Sequence, residues 1–167
     1  MKEYCPKIVT ERLVLRQINI DDAEWLFKLR SGEDYGKYTD IPRYQNIGEA
    51  RDYINRILAQ IDSGDCLLWA VTLVGKDEFI GSVCFWNINA QKDSAEIGYD
   101  LLPDFRGRGY MKEAVQSVIR YGFQTLGYGL IFADLHKDHA KSIRLLEANG
   151  FLKVSEGDVM ARYELCG

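Results

Sequence analysis

The chain has 167 residues, 47% of them hydrophobic, and a formal net charge of −4. That length fits one domain over residues 1–167 with a proper core, since a chain this size buries roughly 70% of its unfolded surface. The acidic balance argues against non-specific nucleic-acid binding and suits a cationic acceptor. No apolar run is long enough for a membrane span and no secretory h-region opens the chain, so a cytoplasmic protein is expected.

Ile8 to Arg16 alternates apolar and polar residues and predicts a strand. Asp21 is placed to cap a helix that carries Trp25, Leu26 and Leu29 on one face. Residues 31–46, rich in Gly, Asp and Tyr with Pro42 near the end, read as a loop. Ala50, Ile54, Ile57, Leu58 and Ile61 recur at helical spacing and predict a second helix over 48–61. Leu67 to Val74 and Phe79 to Ile88 are expected strands joined by Gly75-Lys76-Asp77, and a turn over 89–93 leads into a strand from Ala95 to Leu102. Three strands joined by short turns describe an antiparallel meander. A helix over 107–126 would bury Met111, Val115, Val118, Ile119 and Gly122 along one stripe. A strand over 130–135, a short helix over 140–148 closed by Asn149-Gly150, and strands over 151–155 and 159–165 complete the chain.

The cysteines, Cys5, Cys66, Cys84 and Cys166, are far apart and form no C-x-x-C pair, so zinc and redox motifs are not expected. Cys66 and Cys84 lie in apolar runs and read as core thiols. His136-Lys137-Asp138-His139 lacks the third firm ligand and open position of a catalytic zinc, so no metal is expected.

The densest signal is Arg106-Gly107-Arg108-Gly109-Tyr110-Met111, a doubly basic glycine turn between a strand and a helix. Helix-start N–H groups beside two guanidinium groups make a site for a pyrophosphate. The same residues also fit a plain strand-to-helix turn that uses glycine for backbone freedom. A dinucleotide fingerprint needs a third glycine where Lys112 stands, and a P-loop needs Gly-Lys-Ser/Thr.

This turn resembles the Arg/Gln-x-x-Gly-x-Gly/Ala coenzyme A signature of the GNAT acetyltransferase superfamily. Further segments resemble its RimJ/RimL-like branch in the right order: Thr10-Glu11-Arg12-Leu13-Val14-Leu15-Arg16, Ala95-Glu96-Ile97-Gly98-Tyr99, and Ser142 through Leu145-Leu146-Glu147-Ala148-Asn149-Gly150-Phe151. The resemblance spans Thr10 to Leu165. It departs at Met111, usually Gly or Ala, at His139, usually Asn, and at Leu146, where many members carry an acid Tyr.

The resemblance implies an α+β (mixed α/β) GNAT-like fold: a mixed, largely antiparallel seven-stranded sheet with splayed central strands, helices on both faces, and coenzyme A in the gap. It implies acetyl-CoA as cofactor and a primary amine as acceptor, attacked directly in a ternary complex, since no cysteine lies in the signature segments. Cofactor contacts are expected at Leu101, Leu102, Arg106, Gly107, Arg108, Gly109, Tyr110, Met111, His139 and Ser142, with a backbone N–H near Leu101 stabilising the oxyanion. Glu96 is the candidate general base, or else a structural acid paired across the sheet or facing solvent. Ser142 is a candidate donor to the departing thiolate, or a helix cap. Lys141 and Arg144 would reach the 3′-phosphate or simply form a solvated face. The acceptor implied is a protein or peptide N-terminal α-amine; a small amine such as a polyamine, amino acid or aminoglycoside is the alternative. A non-catalytic acyl-CoA-binding domain is the alternative of another class. Acids and tyrosines of the 31–46 loop and the turn Glu156-Gly157-Asp158 suit a cationic acceptor. The chain is expected to act as a monomer or homodimer.

Overall fold

The computed structural model describes residues 5–91 and 93–167. The strand expected over Ile8 to Arg16 is two strands, β1 (Ile8–Val9) and β2 (Leu13–Gln17), paired with Ile8 opposite Leu15. The break is local. Thr10 N–H donates to Leu13 O at 2.9 Å and Thr10 Oγ1 accepts the Leu13 N–H at 3.1 Å, which folds the chain back on itself.

A 3-10 turn at Ile20–Asp22 opens α1 (Ala23–Ser31). Its cap is Asn19 rather than Asp21: Asn19 Oδ1 accepts the Asp21 N–H at 2.9 Å, and Asp22 accepts the Asn19 N–H at 2.9 Å. Asp22 also holds Arg16 in a two-pronged ion pair. The helix α2 (Ile47–Ser63) starts on an Asn46–Glu49 capping box and buries Ala50, Ile54, Ile57 and Ile61.

The meander follows as β3 (Leu67–Leu73), β4 (Phe79–Asn89) and β5 (Ser94–Leu101). Helix α3 (Tyr110–Tyr121) begins three residues after the expected start and passes into a π-helical turn over Gly122–Leu126. β6 (Leu130–His136), α4 (Ala140–Ala148), β7 (Leu152–Glu156) and β8 (Met160–Cys166) close the chain.

The described strands form one eight-stranded sheet in the order β1-β2-β3-β4-β5-β6-β8-β7. The strand beyond the expected seven-stranded set is the short β1. Every neighbouring pair is antiparallel except β5 with β6, which a helix crossover joins in parallel. That pairing covers only Ser94, Ala95 and Glu96, opposite Leu130, Ile131 and Phe132. Beyond Glu96, β5 stays on β4 as far as Leu101 and β6 stays on β8 as far as His136. The two central strands therefore part, leaving a wedge-shaped gap.

Helices cover both faces. Arg30 of α1 reaches toward Asp100 of β5, while Ser142 of α4 meets Tyr99, the next residue along, on the opposite face. The core beneath α3 centres on Trp69, fully buried, with Phe85 and Tyr121 edge-on at 6.2 and 5.6 Å.

Candidate active site

The glycine-rich turn, the candidate cofactor turn, begins where β5 ends. Leu102 donates its N–H to Ile80 O at 2.8 Å and buries its side chain, so it belongs to the end of the sheet and offers no free donor to a cofactor. Leu101 lies opposite Gly81 in a pair whose own backbone groups point away from β4. Its N–H and C=O therefore face the gap, and Arg106 Nε donates to Leu101 O at 3.1 Å.

A 3-10 turn over Pro103–Phe105 leads to Arg106. Gly107 and Gly109 both stand in left-handed backbone, at φ 74° and 80°. That conformation is strained for residues with a side chain, and a Cβ on Gly109 would also lie 3.3 Å from Arg12 Nη2. The first helical bond of α3 runs from Glu113 N–H to Gly109 O, so the N–H groups of Tyr110, Met111 and Lys112 open outward at the helix start. With Arg106 and Arg108 exposed alongside, this cradle fits a pyrophosphate. Met111 contributes only backbone, because its side chain is buried in the core.

A latch behind the turn escaped the sequence reading. Glu113 accepts from Thr10 Oγ1 at 2.6 Å, Arg12 N at 2.9 Å and Arg12 Nε at 2.6 Å. Arg12 Nη1 then donates to Arg108 O at 2.8 Å, and its guanidinium lies 4.7 Å from the Tyr110 ring centre. Burial works against the Glu113 carboxylate, but the bonds from Thr10 and Arg12 hold its pKa below the usual range. The first strands and the cofactor turn are thus one unit, joined by residues about a hundred positions apart.

Glu96 occupies the last paired position before β5 and β6 part, and it is buried at 5% exposure. The solvent-facing alternative does not describe it, while the Arg162 charge from across the sheet does act on it. Its carboxylate accepts from Asn87 Nδ2 at 2.7 Å and from the Asp134 backbone N–H. Burial pushes its pKa up, and the Asn87 bond partly offsets that rise. On the same face, Cys84 stands opposite Gly98, with Sγ 3.0 Å from where a Gly98 Cβ would be. A cysteine therefore does lie beside the Glu96 segment, half-buried rather than in the core as expected, and desolvation still drives its thiol pKa well above the usual range.

On the other face, Ser142 Oγ lies 2.5 Å from Tyr99 Oη. Burial pushes the Tyr99 hydroxyl to about 12, with the Ser142 bond pulling the other way. Tyr99 is the hydroxyl the sequence reading missed; it lay inside a quoted motif, but only the fold brings it to α4. Leu146 is fully buried and supplies none. His139, at the start of α4, stacks on Tyr38 at 4.3 Å, and burial followed by the Arg106 charge lowers its pKa. Lys141 and Arg144 are exposed. Among the described residues, no group of three or more His, Cys, Asp or Glu is arranged to hold a metal ion.

The 31–46 loop links these parts. Asp34 lies 3.6 Å from Arg106, and Tyr44 Oη accepts from buried Arg30 at 2.9 Å. Arg30 also faces the Tyr53 ring of α2 at 4.0 Å.

A sheet that parts beside a glycine-rich helix start, with a buried acid at the fork, defines a class of acyl-transfer fold. Residues 12–152 match the model of the acetyltransferase (GNAT) domain, and the chain belongs to that family; it is an acetyltransferase. It is 35% identical over 146 residues to the uncharacterized N-acetyltransferase p20 of Bacillus licheniformis, covering 87% of this chain and 82% of that one. It is 22% identical to a spermidine N(1)-acetyltransferase of Vibrio cholerae, covering 95% and 88% of the two chains. Its fold matches RimL, a ribosomal L7/L12 α-N-protein acetyltransferase solved with coenzyme A, at TM-score 0.85 and 18% identity, covering 95% and 96%. No described helix is long and apolar enough to cross a membrane.

Proposed function

We propose that the chain transfers the acetyl group of acetyl-CoA to a primary amine by direct attack in a ternary complex, with a protein or peptide N-terminal α-amine as the favoured acceptor. The observation that carries this reading is Glu96, a buried carboxyl with raised proton affinity at the fork of the gap. Acetyl-CoA supplies an activated thioester. The protein then has to hold both reactants, take one proton and steady the carbonyl oxygen.

Arg106, Gly107, Arg108 and Gly109, with the N–H groups of Tyr110 and Met111, bind the pyrophosphate. The Leu101 N–H, turned to the gap, donates to the acetyl carbonyl oxygen. Glu96 takes the amine proton, directly or through water. Ser142, bonded to Tyr99, and His139 line the sulfur side of the channel. One domain in the cytoplasm, monomeric or homodimeric and without a nucleic-acid partner, is enough for this chemistry.

The preference for an α-amine follows from proton cost. An α-amine has a pKa near 7.7–8.0 and a Lys ammonium near 10.4, so neutral lysine is about 3.4 kcal/mol harder to supply. A site with one buried carboxylate suits the less basic amine, and the RimL likeness points the same way. A small polyamine is the second reading, favoured by the spermidine acetyltransferase relative and by the acidic, tyrosine-rich 31–46 loop.

The test is thiol release from acetyl-CoA across a panel of free-N-terminus peptides, amino acids, aminoglycosides and polyamines. A peptide carrying both a free N-terminus and an internal Lys is then mapped by mass spectrometry. Acetylation at the N-terminus is expected. Acetylation mainly on the Lys removes the α-amine preference, and fast polyamine turnover with inert peptides installs the second reading.

A further inference from the structure

Asn87 stands in left-handed backbone, at φ 45°, inside strand β4. The β4–β5 ladder slips at this point: Trp86 lies opposite Glu96 but Asn89 opposite Ser94, so Asn87 and Ile88 together face Ala95. This is a bulge whose first residue has positive φ, a place where glycine is the unstrained choice. The chain keeps an asparagine there, and its Nδ2 reaches Glu96 Oε2 at 2.7 Å.

We infer that Asn87 is a positioning residue for the reaction: the bulge aims its amide at Glu96, where it donates to the carboxylate and fixes its orientation. The inference rests on the reading of Glu96 as proton acceptor. Two features converge on it, a left-handed bulge position and a short bond to a buried carboxylate.

The other groups near Glu96 do not do this work alone. Asp134 of β6 gives a backbone N–H but adds a like charge that raises proton affinity. Arg162 of β8 is bonded to Asp134 at 2.8 and 2.7 Å, and its charge lowers the Glu96 pKa less than the Asn87 bond does. A cation in place of Asn87 would depress the carboxyl so far that it would bind the proton poorly. A neutral amide offsets part of the burial effect and leaves the carboxyl above its ordinary range.

The sign is fixed: without the amide, the ionised form loses a donor and the Glu96 titration moves to higher pH. The test is NMR titration of the full chain labelled with carboxyl-13C glutamate, with Glu96→Gln identifying the Glu96 resonance. Asn87→Gly removes the amide and relaxes the backbone; Asn87→Ala removes the amide and keeps the strain. Both are expected to raise the Glu96 midpoint by about one pH unit. The acid limb of thiol release, measured with the best acceptor of the panel, is expected to move with it, and Asn87→Ala is expected to lower thermal stability more than Asn87→Gly because it alone keeps the strain. An unchanged Glu96 midpoint in Asn87→Gly overturns the inference about Asn87. A midpoint that moves while the rate profile stays put overturns the reading of Glu96 as proton acceptor, and with it Asn87's part in the reaction.

Discussion

Arg12→Ala offers a severe test of the latch behind the cofactor turn. The change removes the guanidinium that bonds Glu113 at 2.6 Å and Arg108 O at 2.8 Å, and it leaves the Arg12 backbone N–H in place. A hydrogen bond to a charged group contributes about 1.5–3 kcal/mol when well shielded. Arg12 is 43% exposed and Glu113 19%, so screening by solvent argues for the low end, about 1.5 kcal/mol. In a chain of this size that lowers Tm by about 3–6 °C. Because the bond to Arg108 O braces the turn itself, acetyl-CoA affinity in calorimetry is expected to fall about tenfold, the equivalent of 1.4 kcal/mol. Arg12→Lys keeps the charge but not the fork, so it should recover little. The pH dependence has a definite sign. Glu113 has a lowered folded pKa, so its stabilisation is present above the unfolded carboxyl pKa and is lost as pH falls through the folded value. Arg12→Ala flattens that acid loss. Unchanged cofactor affinity, together with an unchanged acid limb of stability, would refute the claim that the first strands set the turn.

Gly109→Val combines positive φ, a β-branched side chain and a 3.3 Å approach to Arg12 Nη2, and it is expected to weaken acetyl-CoA binding by at least about 2 kcal/mol in calorimetry. Gly107→Ala, with no atom within 4 Å of its Cβ, carries the strain alone and should lose less. Glu96→Gln should cut kcat by roughly 10²-fold at pH 7 with cofactor affinity retained, and the deficit should narrow as pH rises and the amine deprotonates unaided. Tyr99→Phe leaves the Ser142 hydroxyl without its 2.5 Å partner; turnover should fall about tenfold by steady-state kinetics with the amine KM unchanged, and equal turnover would release Ser142 from any need of orientation.

The elements legible from sequence were those set by local pattern. The heptad-like stripe of α3 and the meander around Gly75 are written in short-range periodicity, so their existence and order follow from a few residues. The glycines of the cofactor turn were legible for a similar reason, since left-handed backbone is a property of one residue at a time. The break at Thr10 was not, because the alternation of Ile8 to Arg16 continues through a turn closed by a threonine hydroxyl. Asp21 looked like a cap because acids cap helices in general, whereas Asn19 and Asp22 divide the task between them. The candidate site residues missed, Arg12, Asn87 and Tyr99, bond partners 101, 9 and 43 positions away. No window of sequence contains both ends of the first and last of these contacts. The Asn87 contact is close in sequence, but it depends on a bulge that an alternating strand pattern does not display.

Cys84 bears on whether transfer is direct. Its sulfur stands beside the Glu96 segment, where an acyl-carrying thiol would be useful. A thioester intermediate there needs a thiolate, and burial raises the Cys84 pKa above that of an ordinary thiol. Each further unit above about 8.5 cuts the thiolate fraction at neutral pH tenfold. Neighbouring Asp100 pushes in the same direction, and the Gly98 backbone bond and the Arg30 charge offset only part of the rise. An amine of pKa near 8 has a far larger reactive fraction at the same pH and needs only one proton acceptor. Glu96, the acceptor proposed above, lies on the same face of the sheet at the fork of the gap. The chemistry of the two neighbours therefore favours one-step transfer to the amine, with Cys84 as packing, and Cys84→Ala is expected to retain wild-type turnover and to show no mass shift of an acetylated enzyme after acetyl-CoA alone. An acetyl group found on Cys84, coupled to lost turnover in the variant, would reverse that assignment.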